Sequence, residues 1–289
     1  MALYIILPLV GAIMLYTLAE RKVQGFIQHR VGPNIVGPYG LLQPLVDGLK
    51  LLIKEILIPQ KTMMIIFYVS PIFSLILSFA LWFFIELIDF QLGLIVILAI
   101  GGIELYGILL GGWASQNKYT LIGCIRTTSQ LISYELILST IYFLLALTVG
   151  SFRIYYFTIT PIFNLFFYLP YYLIVLIVIL AETNRAPFDL PESESETVAG
   201  FMSEYSALIF AFYFLAEYSN MLFLSYLFSI LFTSSYYLLP LHLFYFVWIR
   251  ASLPRLRYDH LIKLCWYNLL PIVISFLILQ FSIITAIYI

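Results

Sequence analysis

Eight long apolar runs dominate this chain, and they determine the solvent in which it can fold. They cover about residues 2–19, 63–87, 92–113, 129–149, 166–181, 205–222, 226–249 and 266–288. About 20 consecutive apolar residues in helical form cross the hydrocarbon core of a bilayer. Backbone polar groups in that core must be satisfied within the protein, so runs of this length are expected to be helices. The chain is 63% hydrophobic and 10% charged, against roughly 25% charged in a soluble domain. The expected fold is an all-α integral membrane protein of about eight transmembrane helices, forming a single membrane domain over 1–289. Met1–Ala19 lacks a basic leader and a clear cleavage site and is read as a retained first span. The sixth and seventh runs are divided near Ser219–Asn220, and Pro240 is expected to kink the seventh helix.

The loops check this count by charge. Those after the first, third, fifth and seventh runs hold Arg21, Lys22, Arg30, Lys50, Lys54, Lys61, Lys118, Arg126, Arg185, Arg250, Arg255, Arg257 and Lys263, thirteen cations, while the alternate loops hold only Arg153. By the positive-inside rule the cation-rich loops face the cytoplasm or matrix, which puts both termini on the outer, intermembrane-space side.

The first cation-rich loop has structure of its own. GPNIVGPYG (32–40) carries the glycines and prolines of ordered turns. An amphipathic helix follows over about 41–55. Gln43, Asp47, Lys50 and Lys54 recur on one face, Leu42, Leu45, Leu49, Leu52, Ile53 and Ile56 form the other, and Pro44 suits the first turn. Such a helix lies in the membrane interface rather than crossing it. It is either a plain anchor or the rim of an opening through which an amphiphile passes from lipid into protein.

Six of the fifteen carboxylates fall in the segment 182–204, ETNRAPFDLPESESETVAGFMSE: Glu182, Asp189, Glu192, Glu194, Glu196 and Glu204. Glu182 and Arg185 are spaced to pair on one helix face. Glu135 and Glu217 lie within apolar runs, and Glu104 belongs with them by position. A carboxylate in lipid must be neutral, paired or wetted, so these residues are candidates for proton exchange. The plainer readings are a solvated acidic loop and, for Glu104, a neutral carboxyl bonded to a neighbouring helix. Arg250, Arg255 and Arg257 are spaced to bind lipid phosphates, the acids of 182–204, or an acidic partner. Phe201, Phe210 and Phe214 are candidates for an apolar tunnel wall. Cys124, Cys265 and the three histidines show no metal-ligand spacing, and a net charge of −1 gives no reason to expect nucleic-acid binding.

Four segments together carry a resemblance: LAERKVQGFIQHRVGPNIVGPYGLLQPLVDGLKLLIKE, GWASQNKYTLIGCIRTTSQLISYE, AETNRAPFDLPESESETVAGFMSEY and WIRASLPRLRYDHLIKLCW. They resemble, in order and from first span to last, the chain 1 family of NADH–ubiquinone oxidoreductase, a core membrane subunit of respiratory complex I. The resemblance implies eight membrane helices and much of the ubiquinone-access tunnel at the junction with the peripheral arm. It also implies no cofactor in this chain; ubiquinone is the substrate, and NADH, FMN and Fe–S clusters belong to partner subunits of the membrane and peripheral arms. Arg21, Arg30, Asp47, Phe210 and Arg250 become candidate tunnel residues. Glu135, Glu182, Arg185, Asp189, Glu192, Glu194, Glu196, Glu204 and Glu217 become candidates for coupling quinone reduction to proton translocation. Ser193 departs from the family, which has glycine there, and a turn needing positive φ would be altered. The compartment expected is the mitochondrial inner membrane, with a bacterial plasma membrane as the alternative. An ion-translocating subunit of a related hydrogenase or dehydrogenase complex and a free-standing transporter are the rival classes.

Overall fold

The computed structural model describes residues 2–86, 90–159, 169–189, 200–234 and 236–288. Most of these residues are helical, with no strand among them. The helices are α1 (Ala2–Ile27), α2 (Gln43–Ile53), α3 (Met64–Glu86), α4 (Gly93–Ala114), α5 (Lys118–Val149), α6 (Ile154–Ile159), α7 (Leu169–Glu182), α8 (Ala207–Thr233), α9 (Leu239–Ser252), α10 (Tyr258–Lys263) and α11 (Leu270–Tyr288). A π-helical turn over Leu264–Leu269 joins the last two. Six helical stretches are long and apolar enough to cross a membrane, so the protein is an all-helical membrane protein.

Helix ends follow local chemistry. The side chain of Asn117 accepts a hydrogen bond from the Tyr119 amide at the start of α5, and Gly150 closes that helix with a left-handed φ of 76°. Gly40 is required where it stands: its φ is +72°, and a Cβ there would lie 2.3 Å from the Pro33 carbonyl oxygen. The 32–40 turn thereby delivers the chain to α2, whose first turn carries Pro44.

Three helices differ from the sequence expectation. α1 runs on to Ile27, past the expected end near 19, so Arg21 and Lys22 lie within it and not in the loop. α5 begins at Lys118, not near 129, because the polar residues before 129 are satisfied within the protein. Thr127 and Thr128 each donate to the Cys124 carbonyl at 2.9 Å. The sixth and seventh runs do not divide at Ser219–Asn220 either. α8 passes through both residues and ends at Ser234, which takes a left-handed φ of 52°. Asn220 is held inside by a bond to Glu104, so it marks a helix contact and not a loop. Pro240 accordingly sits in the first turn of α9 and kinks nothing.

In the packing, α4 lies between α3 and α5, α8 packs on α3, and α1 contacts α8 and α9. α5 also meets α7 and α11. α5 and α8 are the most buried long helices. Their inner faces supply Tyr134, Ile137, Ile141, Phe223, Leu227 and Phe228 to the core. The two helices therefore form the walls against which the charged groups are set.

Candidate functional site

The charged groups gather around Arg185. α7 ends at Glu182 and the chain turns through Asn184, with φ of 50°. Arg185 is therefore carried off the helix face on which it was expected to pair with Glu182. Its Nη1 reaches Glu20 Oε1 of α1 at 3.5 Å. Its Nε lies 3.3 Å from Glu217 Oε1 of α8, an ion pair without hydrogen-bond alignment. The guanidinium also covers the Tyr218 ring, 4.2 Å from its centroid. Burial opposes the charge on Arg185, yet Glu217, Tyr218 and Glu20 outweigh it and raise the pKa above arginine's usual value.

Glu20 is the acidic centre of this cluster, and sequence reasoning did not single it out. It is 5% exposed. It takes Arg250 Nη1 of α9 at 2.6 Å and the Tyr218 hydroxyl at 2.7 Å. The signal was present in the ERK segment, but a charged triplet at a span end reads as interfacial. Two acids and two arginines make the cluster neutral, as buried charges require.

Two cavities flank the cluster. The first is lined by Thr17, Glu20, Arg21, Gln24, Phe214, Tyr218 and Arg250. Of the tunnel candidates it brings together Arg21 and Arg250. Asp47 reaches its edge by pairing with Arg21, and Phe210 stacks on Phe214 at 6.1 Å between ring centroids. Arg30 is exposed and bonds Gln28 at 2.7 Å; it is not among the lining residues. α2 buries none of its residues, leaving Leu45, Leu49, Leu52 and Ile53 exposed beside the α1 end.

The second cavity has four carboxylates on its wall: Glu104 of α4, Glu135 of α5, Glu182 of α7 and Glu217 of α8. Glu135 fits there because α4 carries Gly101 and Gly102; a Cβ on Gly102 would stand 3.1 Å from Glu135 Oε1. Glu182 Oε2, Asn184 Oδ1, Asn220 Oδ1 and the Tyr142 hydroxyl are buried without protein partners among the described residues. Buried polar atoms that lack protein partners are commonly bonded by water.

The remaining candidates are placed apart. Asp189, 5% exposed, pairs with Arg255 at 3.2 Å, and the neighbouring backbone is tied to the same loop by Leu256 N donating to Pro187 O at 2.9 Å. Arg257 pairs with Asp259. Glu204 accepts from Asn117 Nδ2 at 2.6 Å and does not line the acidic cavity. Phe201 does line it, beside Met202 and Tyr213. Glu192, Glu194, Glu196 and Ser193 lie outside the described residues. Gln130, fully buried on α5, was also missed: its Nε2 donates to Ala181 O at 2.9 Å and Phe188 O at 3.1 Å, clamping both ends of the turn that carries Arg185.

The fold and site define a helical membrane protein with a neutral buried charge cluster between a polar cavity and an acid-lined cavity. Comparison with known proteins makes the class particular. Residues 1–281 match the NADH dehydrogenase family, and the chain belongs to it. A chain of Mycosarcoma maydis named NADH-ubiquinone oxidoreductase chain 1 is 42% identical, covering 98% of this chain and 95% of its own length. A chain of the same name from Osphranter rufus is 45% identical over 94% of this chain and 92% of its own. A bacterial chain from Paramagnetospirillum magneticum, named as a subunit of NADH-quinone oxidoreductase, is 41% identical over 98% and 90%.

Proposed function

We propose that this chain is the core membrane subunit of proton-pumping NADH:ubiquinone oxidoreductase, complex I, in which it forms the ubiquinone-access path and links quinone reduction to proton movement. Family membership and the names of the relatives support the complex. One observation carries the coupling role. Arg185 joins Glu20, on the wall of one cavity, to Glu217, on the wall of the other.

Ubiquinone, a long apolar molecule with a small polar head, passes from lipid beside α2 and the end of α1. It is reduced deeper in, in a partner subunit that receives electrons from NADH through FMN and Fe–S clusters. A proton-hungry quinone then changes the charge felt at Glu20 and Arg250. Arg185 sits at nearly equal distance from Glu20 and Glu217, 3.5 and 3.3 Å, so a small bias shifts its pairing. Freeing or neutralising Glu217 alters the charge on the acid-lined wall, and a one-unit pKa change there is worth about 1.4 kcal/mol. Asp189, Glu192, Glu194 and Glu196 belong to the acidic link, with Glu204 at its margin. Eight helices in order, the six long ones with α7 and α9, suit eight spans with both termini outside, in the mitochondrial inner membrane.

The test is replacement of Glu192 or Glu196 by Gln in the assembled complex. Quinone reductase and proton pumping should both fall, while NADH oxidation by an artificial acceptor persists. Unchanged, fully coupled quinone reductase would refute the acidic link.

A further inference from the structure

The acid-lined cavity contains a carboxylate that neither the cation cluster nor the 182–204 segment explains. Glu104 stands eleven residues beyond Gly93, the start of α4. At about 1.5 Å per residue this is about 16 Å into the helix, half of a hydrocarbon core about 30 Å thick. An acid at that depth must be neutral, paired or wetted. Glu20 and Glu217 meet that requirement with arginine. Glu104 meets it differently: the Asn220 amide Nδ2 donates to its Oε1 at 2.5 Å, and no cation pairs with it among the described residues.

An asparagine partner has a chemical consequence. Arginine only donates and holds a carboxylate in its charged form. Asparagine offers both a donor and an acceptor. It can give Nδ2–H to a carboxylate or accept O–H from a carboxylic acid at Oδ1, and Asn220 Oδ1 has no other partner among the described residues. Asn220 therefore fixes the position of the Glu104 carboxyl without fixing its protonation state.

The surroundings give that carboxyl somewhere to pass a proton. Gly101 and Glu104, one turn apart on α4, line the cavity together, and the Glu135 carboxylate lies against Gly101 and Gly102. Glu182 lines the same cavity as Glu135 and Glu104. Tyr142, 1% exposed, lines the same cavity, and its hydroxyl has no protein partner among the described residues. Carboxyl groups that interact within one low-dielectric cavity take up and release protons as a coupled set.

We propose that Glu104 is a proton-carrying residue of this cavity, exchanging with Glu182 and Glu135 through water and the Tyr142 hydroxyl, with Asn220 as its positioning residue. The inference rests on the acidic link proposed above and extends it to α4. In each step the O–H bond of one carboxylic acid breaks and the proton passes along the hydroxyl and water chain. An O–H bond then forms on the next carboxylate. No electron moves.

The test uses the whole complex in sealed membranes and measures NADH:quinone reductase, protons moved per quinone reduced, and artificial-acceptor NADH oxidation as a check of assembly. E104Q keeps the shape and loses the exchangeable proton. Its coupled quinone reductase should fall at least about tenfold, a conservative figure for loss of a positioned proton carrier, whereas E104D should retain most of it. The exchange variant E104N/N220D, which moves the carboxyl to the other side of the same pair, should recover proton movement relative to E104Q. If E104Q moves protons as well as the parent while E182Q does not, Glu104 is a structural acid and the inference falls alone. If both variants pump normally, the acidic link itself falls. If E104Q fails to assemble, E104N/N220D decides: proton movement supports the relay, and an assembled complex with none overturns it.

Discussion

Removing Glu20 is the sharpest perturbation of the charge cluster. Its carboxylate is 5% exposed and is shared by Arg250, Arg185 and Tyr218. With Glu20 the cluster sums to zero; E20Q leaves one uncompensated positive charge among buried groups. Breaking a buried pair from one side costs about 3–5 kcal/mol. The Arg250 side chain is 33% exposed and can recover some hydration, so the low end of that range is expected. A complex subunit weakened by about 3 kcal/mol shifts its folded-to-unfolded ratio more than a hundredfold, enough to deplete assembled complex in membranes. The assay is in-gel NADH oxidation and quinone reductase in membranes carrying E20Q, R250Q and E20Q/R250Q. The double variant restores neutrality, because Arg185 and Glu217 remain paired. It should be more stable than the sum of the single changes by about 0.5–3 kcal/mol, the range for contacting residues. Full assembly and full quinone reductase in E20Q, or strict additivity in the double variant, would refute the cluster as an energetic unit.

Two further outcomes follow from the packing. Q130A removes the donor that holds both Ala181 O and Phe188 O. Ala181 O keeps the Asn184 amide at 3.4 Å, so the cost falls mainly on the Phe188 carbonyl, about 1–3 kcal/mol for a buried acceptor left unbonded, and lowered assembly, read from the intensity of the NADH-active band, is expected. G102A places a methyl 3.1 Å from Glu135 Oε1, so the carboxylate must shift. Proton yield per quinone should drop with assembly intact, and an unchanged yield would show that the position of Glu135 against α4 is not critical.

Membrane class and helical character were legible because hydropathy is a local property summed over long runs. The start of α5 and the end of α8 were not. Thr127, Thr128, Ser219 and Asn220 look like loop residues by composition, yet each lies within a helix. Thr127 and Thr128 bond to their own helix, and Asn220 bonds to Glu104 on α4. Polarity along the sequence marks a loop only when its partner is water. The site divided in the same way. Arg21, Arg250, Glu135, Glu182 and Glu217 were named from motifs and do line the two cavities. Arg30 and Glu204 were named with them and stand elsewhere.

The sequence by itself determined that the chain lives in a membrane, folds as helices and carries more acid than spanning requires. Which acids face arginine and which face only amides and one another was decided by tertiary structure. Glu20 finds Arg185 165 positions along the chain, Tyr218 198 away and Arg250 230 away. In a medium that cannot solvate charge, the energy of an ionisable group is set by such distant partners, and no local pattern encodes them.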